Sequence, residues 1–228
     1  MDTKIILIYC VVSDFLKYLK LDDSNSFQMS HAEVVTHVVV SAMFFQGNHE
    51  NTRQFLHLHG YITNMLSKSQ LNRRIHRFDE AFWRDLLFTL SQTLYHFEKT
   101  NEYLVDSFPV SSCDTSRILK SKRYKGKAYH SYSPTRQRYF YGVKVHMLAS
   151  KNGVPIEVIF TPGSEHDMKS FKRFTLDLPA GSTIYGDRAY NNYEFEDFLK
   201  EEAEINLIVE RRAHSKRPLA VELRLYSK

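Results

Sequence analysis

Apolar positions near the start of the chain recur at the spacing of a helix. Between Ile5 and Leu19 they stand three or four positions apart, which places them on one helical face. Further along, Ser30 and Glu33 have the spacing of a capping box, in which each side chain binds the other residue's backbone amide. The apolar run after this box predicts a buried helix that ends before Gly47, where glycine favours termination.

A further helix start is predicted at Ser67. The helix that follows carries Arg73, Arg74 and Arg77 in its first turns and an apolar stripe that continues to Leu90. Basic first turns suit the recognition helix of a helix-turn-helix unit, whose N-terminal residues face DNA. A solvated basic helix face is an equally good interpretation. The first hundred residues are therefore predicted to form an all-helical N-terminal domain, with DNA binding as its candidate role.

After residue 100 the pattern changes to short β-prone runs with two helical patterns between them. The predicted strands are Tyr103–Val110, Tyr139–Ala149, Pro155–Thr161, Ser182–Tyr185 and Ile205–Val209, and the predicted helices are Asp167–Leu176 and Asn191–Ala203. Asn152-Gly153 is a hairpin signal between the second and third strands. Residues 101–228 are thus predicted to form an α/β domain with a mixed five-stranded sheet, and the domain boundary is placed near Thr100.

Composition indicates a globular chain, since 43% of the 228 residues are hydrophobic and 14% are aromatic. The net charge of +5 is modest, so its distribution matters more than its size. No Asp or Glu occurs from Thr115 to Ile156, and basic residues are interleaved there with tyrosines. Such a segment suits phosphate neutralisation and base stacking, and a solubilising loop is the alternative. The candidate DNA-binding residues of this insertion are Lys120, Lys122, Arg123, Lys125, Lys127, Arg136 and Arg138.

Candidate chemistry lies in two carboxylates on predicted strands. Asp106 lies within the first predicted strand, and Asp187 comes two residues after the end of the fourth. If both strands share a sheet, the two side chains meet at one site, where they would hold a divalent metal. Taken alone, Asp187 is better explained as a helix cap, and Asp167 is most simply the cap of the helix that begins at Met168.

Four segments in this order resemble the DDE transposases of bacterial insertion sequences. They are the first strand with Asp106, Tyr141–His146, Gly163–Asp167 and Gly186–Tyr190. The resemblance implies a ribonuclease-H-like fold in which Asp106 and Asp187 are the first two acids of a catalytic triad.

The same resemblance implies a cofactor and partners. Two Mg²⁺ (or Mn²⁺) ions would be held by the acids, with Asp106 bridging both, and Arg188 would bind DNA phosphate or orient Asp187. Double-stranded DNA, as element ends and target, is the expected partner, and a homo-oligomer is expected on DNA. The expected location is the bacterial cytoplasm, associated with the nucleoid. No membrane association is expected, since the most apolar run, residues 5–12, is too short to span a bilayer.

The family's third acid is a Glu on a helix after the fifth strand. Glu222 is the only acid in the corresponding tail, and its surroundings do not match the family pattern. We therefore expect the chain to stop short of the third acid and to lack the final helix. The leading hypothesis is DNA transposition by metal-dependent cleavage and strand transfer. The alternatives are a truncated, inactive transposase that binds element ends as a repressor, and another ribonuclease-H-like nuclease.

Overall fold

The computed structural model describes residues 1–21, 28–97, 100–120, 124–133, 137–211 and 215–217. Contacts between backbone positions divide it into two compact units, Met1–Thr89 and Leu90–Lys228. The division lies upstream of the boundary predicted near Thr100.

The described part of the first unit is helical. Its helices are α1 (Asp2–Tyr18), α2 (His31–Phe44), α3 (His49–Leu58), α4 (Lys68–Ile75) and the first turns of α5 (Glu80–Phe97). The capping box predicted before α2 is present, with Ser30 Oγ accepting from the Glu33 amide at 3.1 Å and Glu33 Oε2 accepting from the Ser30 amide at 2.6 Å. No helix in the described part of the chain combines the length and the apolar character that a membrane crossing requires.

The prediction of a single helix from Ser67 to Leu90 is wrong. Helix α4 ends at Ile75, and α5 begins afresh because the side chain of Asp79 accepts a hydrogen bond from the Phe82 amide at 2.9 Å. An Asp at this position offers the backbone a start signal, which the continuous apolar stripe concealed. The basic turns and the apolar turns therefore belong to two different helices.

A buried histidine lies in the core of the first unit. His37 on α2 is fully buried, and its Nε2 lies 3.2 Å from Nδ1 of His49 on α3. The two rings stack with centroids 5.3 Å apart. Burial, followed by the nearby His49 and Arg53, lowers the pKa of His37 to about 4. The imidazole is therefore neutral in the folded protein at physiological pH.

The described part of the second unit contains the end of α5, a six-stranded sheet and two further α-helices. The strands are β1 (Glu102–Asp114), β2 (His130–Ser133), β3 (Arg138–Ser150), β4 (Pro155–Pro162), β5 (Thr183–Gly186) and β6 (Asn206–Val209). The helices are α6 (Asp167–Phe171) and α7 (Tyr193–Glu202), and 3-10 turns span Thr115–Lys120, Lys127–Tyr129 and Arg188–Tyr190.

The sheet order is β2-β3-β1-β5-β6, with β4 also paired to β3. Strand β3 is long enough for its first residues to pair with β2 and the rest with β4. Strand β1 is antiparallel to β3 and parallel to β5. An antiparallel meander followed by two parallel strands, with the first strand in the middle, confirms the mixed ribonuclease-H-like sheet. The sixth strand, β2, formed inside the basic insertion, where its four polar and aromatic residues gave no apolar run to detect.

One face of this sheet packs against both helices. Tyr103 and Val105 of β1, Phe171 of α6 and Leu199 of α7 belong to one buried cluster. Alternate residues of β1 point to the opposite face, and three of them are exposed large apolar residues. These are Leu104, Phe108 and Val110, with exposed fractions of 46%, 46% and 44%. We call this second side the open face.

A bulge in β1 depends on a glycine in β3. The register between the two strands shifts between Ser111 and Cys113, opposite Gly142. A Cβ on Gly142 would lie 2.1 Å from the carbonyl oxygen of Val110. Glycine is required here because any side chain would collide with backbone.

Candidate active site

The parallel pairing of β1 and β5 brings the two predicted acids to the same level of the sheet. The last paired positions are Val105 and Gly186. The next residues along the chain are Asp106, still on β1, and Asp187, directly after β5. Both carboxylates are exposed to solvent. The sequence prediction that these acids lie on neighbouring strands agrees with this register.

Asp187 caps a turn, and several neighbouring carboxylates affect its pKa. Its Oδ1 accepts a hydrogen bond from the Ala189 amide at 2.9 Å, at the start of the 3-10 turn Arg188–Tyr190. Partial burial raises the pKa of Asp187, and the negative charges of Asp167, Asp106 and Glu210 raise it further. Like charges at this spacing disfavour ionisation of one another. A cation placed among them would relieve this repulsion.

The capping interpretation of Asp187 is therefore correct for the short turn. The longer helix α7 has its own cap, since Asn192 Oδ1 accepts from the Phe195 amide at 2.9 Å. Capping leaves the second carboxylate oxygen of Asp187 without a role in that turn. A cap and a metal ligand are thus compatible functions for the same residue.

The donor set at this site fits a hard divalent cation only in part. Asp106 and Asp187 supply carboxylate oxygens, which Mg²⁺ prefers. Among the described residues, no group of three or more His, Cys, Asp or Glu side chains is arranged to hold a metal ion. Two acids and solvent are what these residues offer. Glu222, the candidate third acid, lies outside the described residues.

The structure corrects the prediction that Asp167 is a helix cap. Its side chain caps no helix, and its Oδ1 instead accepts hydrogen bonds from Ser107 Oγ at 2.6 Å and from Lys144 Nζ at 3.1 Å. Burial opposes ionisation, but these two donors outweigh it and lower the pKa of Asp167. A cap was the simplest explanation from local sequence because Ser107 and Lys144 are distant along the chain. The contact ties α6 to the residue next to Asp106.

Two buried groups complete the surroundings of Asp167. His146 Nδ1 lies 3.6 Å from Asp167 Oδ1, and His146 Nε2 lies 2.9 Å from Thr161 Oγ1. Burial lowers the pKa of His146 in spite of the carboxylate. Burial also raises the pKa of the Tyr190 phenol, and the carboxylates of Asp167, Asp106 and Asp187 add to that effect. A neutral histidine and a neutral tyrosine therefore border the acids.

The segment from Gly186 to Tyr190 fits closely against β1. A Cβ on Gly186 would lie 3.0 Å from Cγ1 of Val105 and 3.2 Å from the Tyr190 ring. The Tyr190 ring in turn packs edge-on against Phe171, with centroids 5.5 Å apart. The glycine lets β5 end close to β1, and the aromatic ring anchors the turn that carries Asp187.

Sequence reasoning missed Glu210 as a neighbour of the acids. Its amide donates to the Gly186 carbonyl oxygen at 3.2 Å, and its Oε2 lies 3.1 Å from Arg188 Nε. Its carboxylate contributes to the raised pKa of Asp187. The signal available from sequence was its position directly after the fifth predicted strand. The ion pair holds the Arg188 side chain next to the site.

The predicted DNA-binding residues divide by exposure. Arg73 and Arg77 are exposed, whereas Arg74 is only 8% exposed and so is not presented to DNA, which corrects its grouping with the other two. Lys120, Lys125, Lys127 and Arg138 are exposed on the second unit. Lys122, Arg123 and Arg136 lie outside the described residues.

The sheet has its first strand in the middle, with Asp106 within that strand and Asp187 directly after the adjacent parallel strand β5. This arrangement defines a protein of the ribonuclease-H-like class. The family model described as "Transposase DDE domain" matches residues 98–222. The match spans more than half of the chain, and the chain belongs to this family.

Two solved structures resemble the chain at low sequence identity. The piggyBac transposase in a synaptic complex with hairpin DNA is 12% identical, with 92% of this chain and 50% of that chain covered and a TM-score of 0.42. The Mos1 transposase in a paired-end complex with a left transposon end is 10% identical, with coverage of 82% and 60% and a TM-score of 0.30. The chain therefore spans about half and three-fifths of these two chains. A comparison with curated proteins gave no match.

Proposed function

We propose that this protein acts in DNA transposition, by metal-dependent phosphodiester cleavage and strand transfer at the ends of an insertion sequence. The observation that carries the proposal is the register that puts Asp106 and Asp187 at the same level of two neighbouring strands, in a chain of the DDE transposase family. Members of this family generally use divalent metal ions. Mg²⁺ or Mn²⁺ is accordingly the proposed cofactor.

The electrostatics of the site support a cation there. Burial is the largest cause of the raised pKa of Asp187, and the next causes that raise it are carboxylates, with Asp106 among them. Two bound divalent ions would activate the attacking oxygen and stabilise the leaving oxygen of a phosphodiester. The protein's own part would be to hold these ions through the carboxylates of Asp106 and Asp187.

Asp167 has a different proposed role. Its Oδ1 already accepts from Ser107 and Lys144, so its charge is largely neutralised within the protein. We assign it to positioning, because Ser107 directly follows Asp106 on β1. Arg188 is held by Glu210 and is proposed to contact DNA phosphate near the acids, with its orientation fixed by that ion pair.

Double-stranded DNA, as element ends and target, is the proposed partner. Exposed Lys125 and Lys127 lie in a stretch without acids, and exposed Arg73 and Arg77 lie on and just after α4. Such cations bind the phosphate backbone with a strong dependence on salt. A homo-oligomer on DNA and a place in the bacterial cytoplasm at the nucleoid are part of the same proposal.

A nicking assay on a duplex that carries the inverted repeats flanking the gene tests this function. With Mn²⁺ we expect strand cleavage that is lost in Asp106→Ala and in Asp187→Ala, while DNA binding persists. Glu194→Ala removes an exposed acid from the first turn of α7 and should cleave as the wild type does. DNA binding without cleavage by the wild-type chain would overturn the proposal in favour of a protein that only occupies element ends.

A further inference from the structure

Four aromatic rings form a continuous ladder across β2 and the start of β3. Tyr132 lies 5.1 Å from Tyr139 between ring centroids, and His130 stacks on Tyr139 at 5.1 Å and on Tyr141 at 4.7 Å. The stacked pairs have interplanar angles of 22° and 29°. The pairing of β2 with β3, which sets His130 opposite Tyr141 and Tyr132 opposite Tyr139, produces this arrangement.

Two of the four rings, those of Tyr132 and Tyr139, are exposed. Tyr139 has an exposed fraction of 57% and Tyr132 one of 46%. Aromatic rings that only stabilise a hairpin gain by being covered. Here the two tyrosines present π surface to solvent, at the end of the sheet farthest along β1 from the acids.

The surroundings of the ladder are positively charged. Lys127 lies in the 3-10 turn that leads into β2, and Lys125 precedes it by two residues. Both lysines are exposed, and neither pairs with a carboxylate within the part of the chain that the structure describes. The absence of acids from Thr115 to Ile156 means that no carboxylate of this segment offsets them. The cations would attract a phosphate backbone to the rings.

The ladder lies on the same side of β3 as the candidate active site. Tyr139, Tyr141 and Met147 are separated by even numbers of residues and so share one face of the strand, and Met147 pairs with Asp106. The six strand steps from Tyr141 to Met147 span about 20 Å. That length corresponds to roughly six stacked nucleotides at 3.4 Å each.

Exposed aromatic residues line the interval between the ladder and the acid. Val145 of β3 pairs with Phe108 on one side and Phe160 on the other. Phe108 and Phe160 are 46% and 59% exposed. The open face thus presents aromatic surface at its far end and again next to the row that contains Asp106.

We propose that the ladder of Tyr132, Tyr139, His130 and Tyr141 is a stacking site for unpaired DNA bases. The proposal rests on the proposed transposition function, since a strand cut at an element end becomes free to separate from its complement, which leaves its bases unpaired. An aromatic ring accepts any base on its π face, while nearby lysines hold the phosphates. The site therefore takes single-stranded DNA with little sequence preference, and it supplements the binding of duplex by charge alone.

The test compares a fluorescent single-stranded oligonucleotide of about ten nucleotides with a duplex of the same sequence, at one salt concentration. Tyr132→Leu and Tyr139→Leu retain an apolar side chain on the strand and remove the π face. Each should weaken single-strand binding about 5- to 150-fold, which matches a stacking contribution of roughly 1–3 kcal/mol per base. Each should change duplex binding less than about twofold. Tyr132→Phe and Tyr139→Phe should bind single strands as the wild type does.

A matched charge control separates stacking from attraction. Lys125→Ala with Lys127→Ala should weaken single-strand and duplex binding together, because phosphate contacts ignore base pairing. The stacking site is overturned if the leucine variants bind single strands as tightly as the wild type. It is also overturned if their affinities for single-stranded and duplex DNA fall by the same factor. If a leucine variant unfolds, an oligonucleotide that contains 2-aminopurine tests the proposal with the wild-type protein. Stacking on a ring quenches the fluorescence of this base, so unquenched fluorescence in the complex overturns the proposal.

The two proposals fail separately. Loss of nicking in the Asp106 and Asp187 variants is measured on duplex ends, without any single strand added. A chain that nicks these ends but shows no stacked base loses only the ladder. A chain that quenches 2-aminopurine but never nicks retains the ladder as a single-strand binding site and loses the transposition function.

Discussion

The hydroxyl of Ser107 donates to Oδ1 of Asp167 at 2.6 Å, although the two residues are 60 positions apart in the chain. This bond fixes the strand residue that follows Asp106 to the first residue of α6. The same Asp167 oxygen also accepts from Lys144 on β3. Three elements of the second unit therefore meet at one carboxylate, directly beside the candidate active site.

Breaking the pair of Asp167 and Lys144 should destabilise the fold. Their side chains are only 18% and 19% exposed, so Lys144→Met leaves a largely buried charge without its partner. We expect the free energy of unfolding to fall by about 2–3 kcal/mol, measured by urea denaturation. Lys169→Ala is the matched control, because Lys169 pairs with Glu165 but is 73% exposed, and it should change stability by less than about 0.5 kcal/mol. Equal effects in both variants would contradict this account.

The raised pKa of Asp187 gives a prediction about stability and pH. The folded protein binds this proton more tightly than the unfolded chain, so stability falls as pH rises above the ordinary value of 3.8. Asp187→Asn should therefore be more stable than the wild type at pH 7 without metal, and the difference should disappear below pH 3.8. Urea denaturation at both pH values measures it.

Metal should reverse this ranking. Mn²⁺ is expected to raise the melting temperature of the wild type by binding the folded state, and to leave Asp187→Asn unchanged. Asp14→Asn removes an exposed acid on α1 and should respond to Mn²⁺ as the wild type does. A wild-type melting temperature that is insensitive to Mn²⁺ would count against a metal site at these acids.

His37 should make the first unit sensitive to acid. Its folded pKa of about 4 lies below its ordinary value of 6.5, so the unfolded chain takes up a proton first. Stability is then complete above pH 6.5 and decreases as pH falls toward 4, by up to roughly 3 kcal/mol. His37→Gln should flatten this dependence in denaturation curves recorded between pH 7.5 and 4.5. A profile with the same slope in the variant would refute the assignment.

The arginines of α4 and the turn after it should separate into two phenotypes. Arg73→Ala and Arg77→Ala remove exposed cations, so each should weaken duplex binding and reduce the salt slope by about one, with stability unchanged. Arg74→Ala removes a buried side chain and should lower the melting temperature instead. Titration of duplex DNA at several salt concentrations, together with thermal unfolding, checks both effects. An Arg74 variant with wild-type stability would be inconsistent with its burial.

The parts of the fold that sequence predicted well are those specified by local patterns. The capping box of Ser30 and Glu33 and the hairpin signal at Gly153, where φ is +87°, both correspond to observed structure. All five predicted strands are present in their predicted order. Local side-chain chemistry is enough to place such elements because each signal acts within a few residues.

What sequence did not predict depends on contacts between distant residues. Asp167 looked like a cap because its partners Ser107 and Lys144 lie on other elements. Arg74 looked like its neighbours because burial is decided by the packing around α4. Glu210 has no motif of its own and becomes part of the site only because β6 pairs with β5.

The position of β1 in the sheet determines when the site can form. Its antiparallel neighbour β3 follows it closely along the chain, whereas its parallel neighbour β5 begins only at Thr183. Pairing over a longer separation closes a larger loop and is slower. Pulse-labelled hydrogen exchange should therefore find amides of β3 and β4 protected before those of β5 and β6. During synthesis, the antiparallel strands that carry Asp106 would form before Asp187 has emerged from the ribosome. The two acids therefore come together only in one of the last steps of folding.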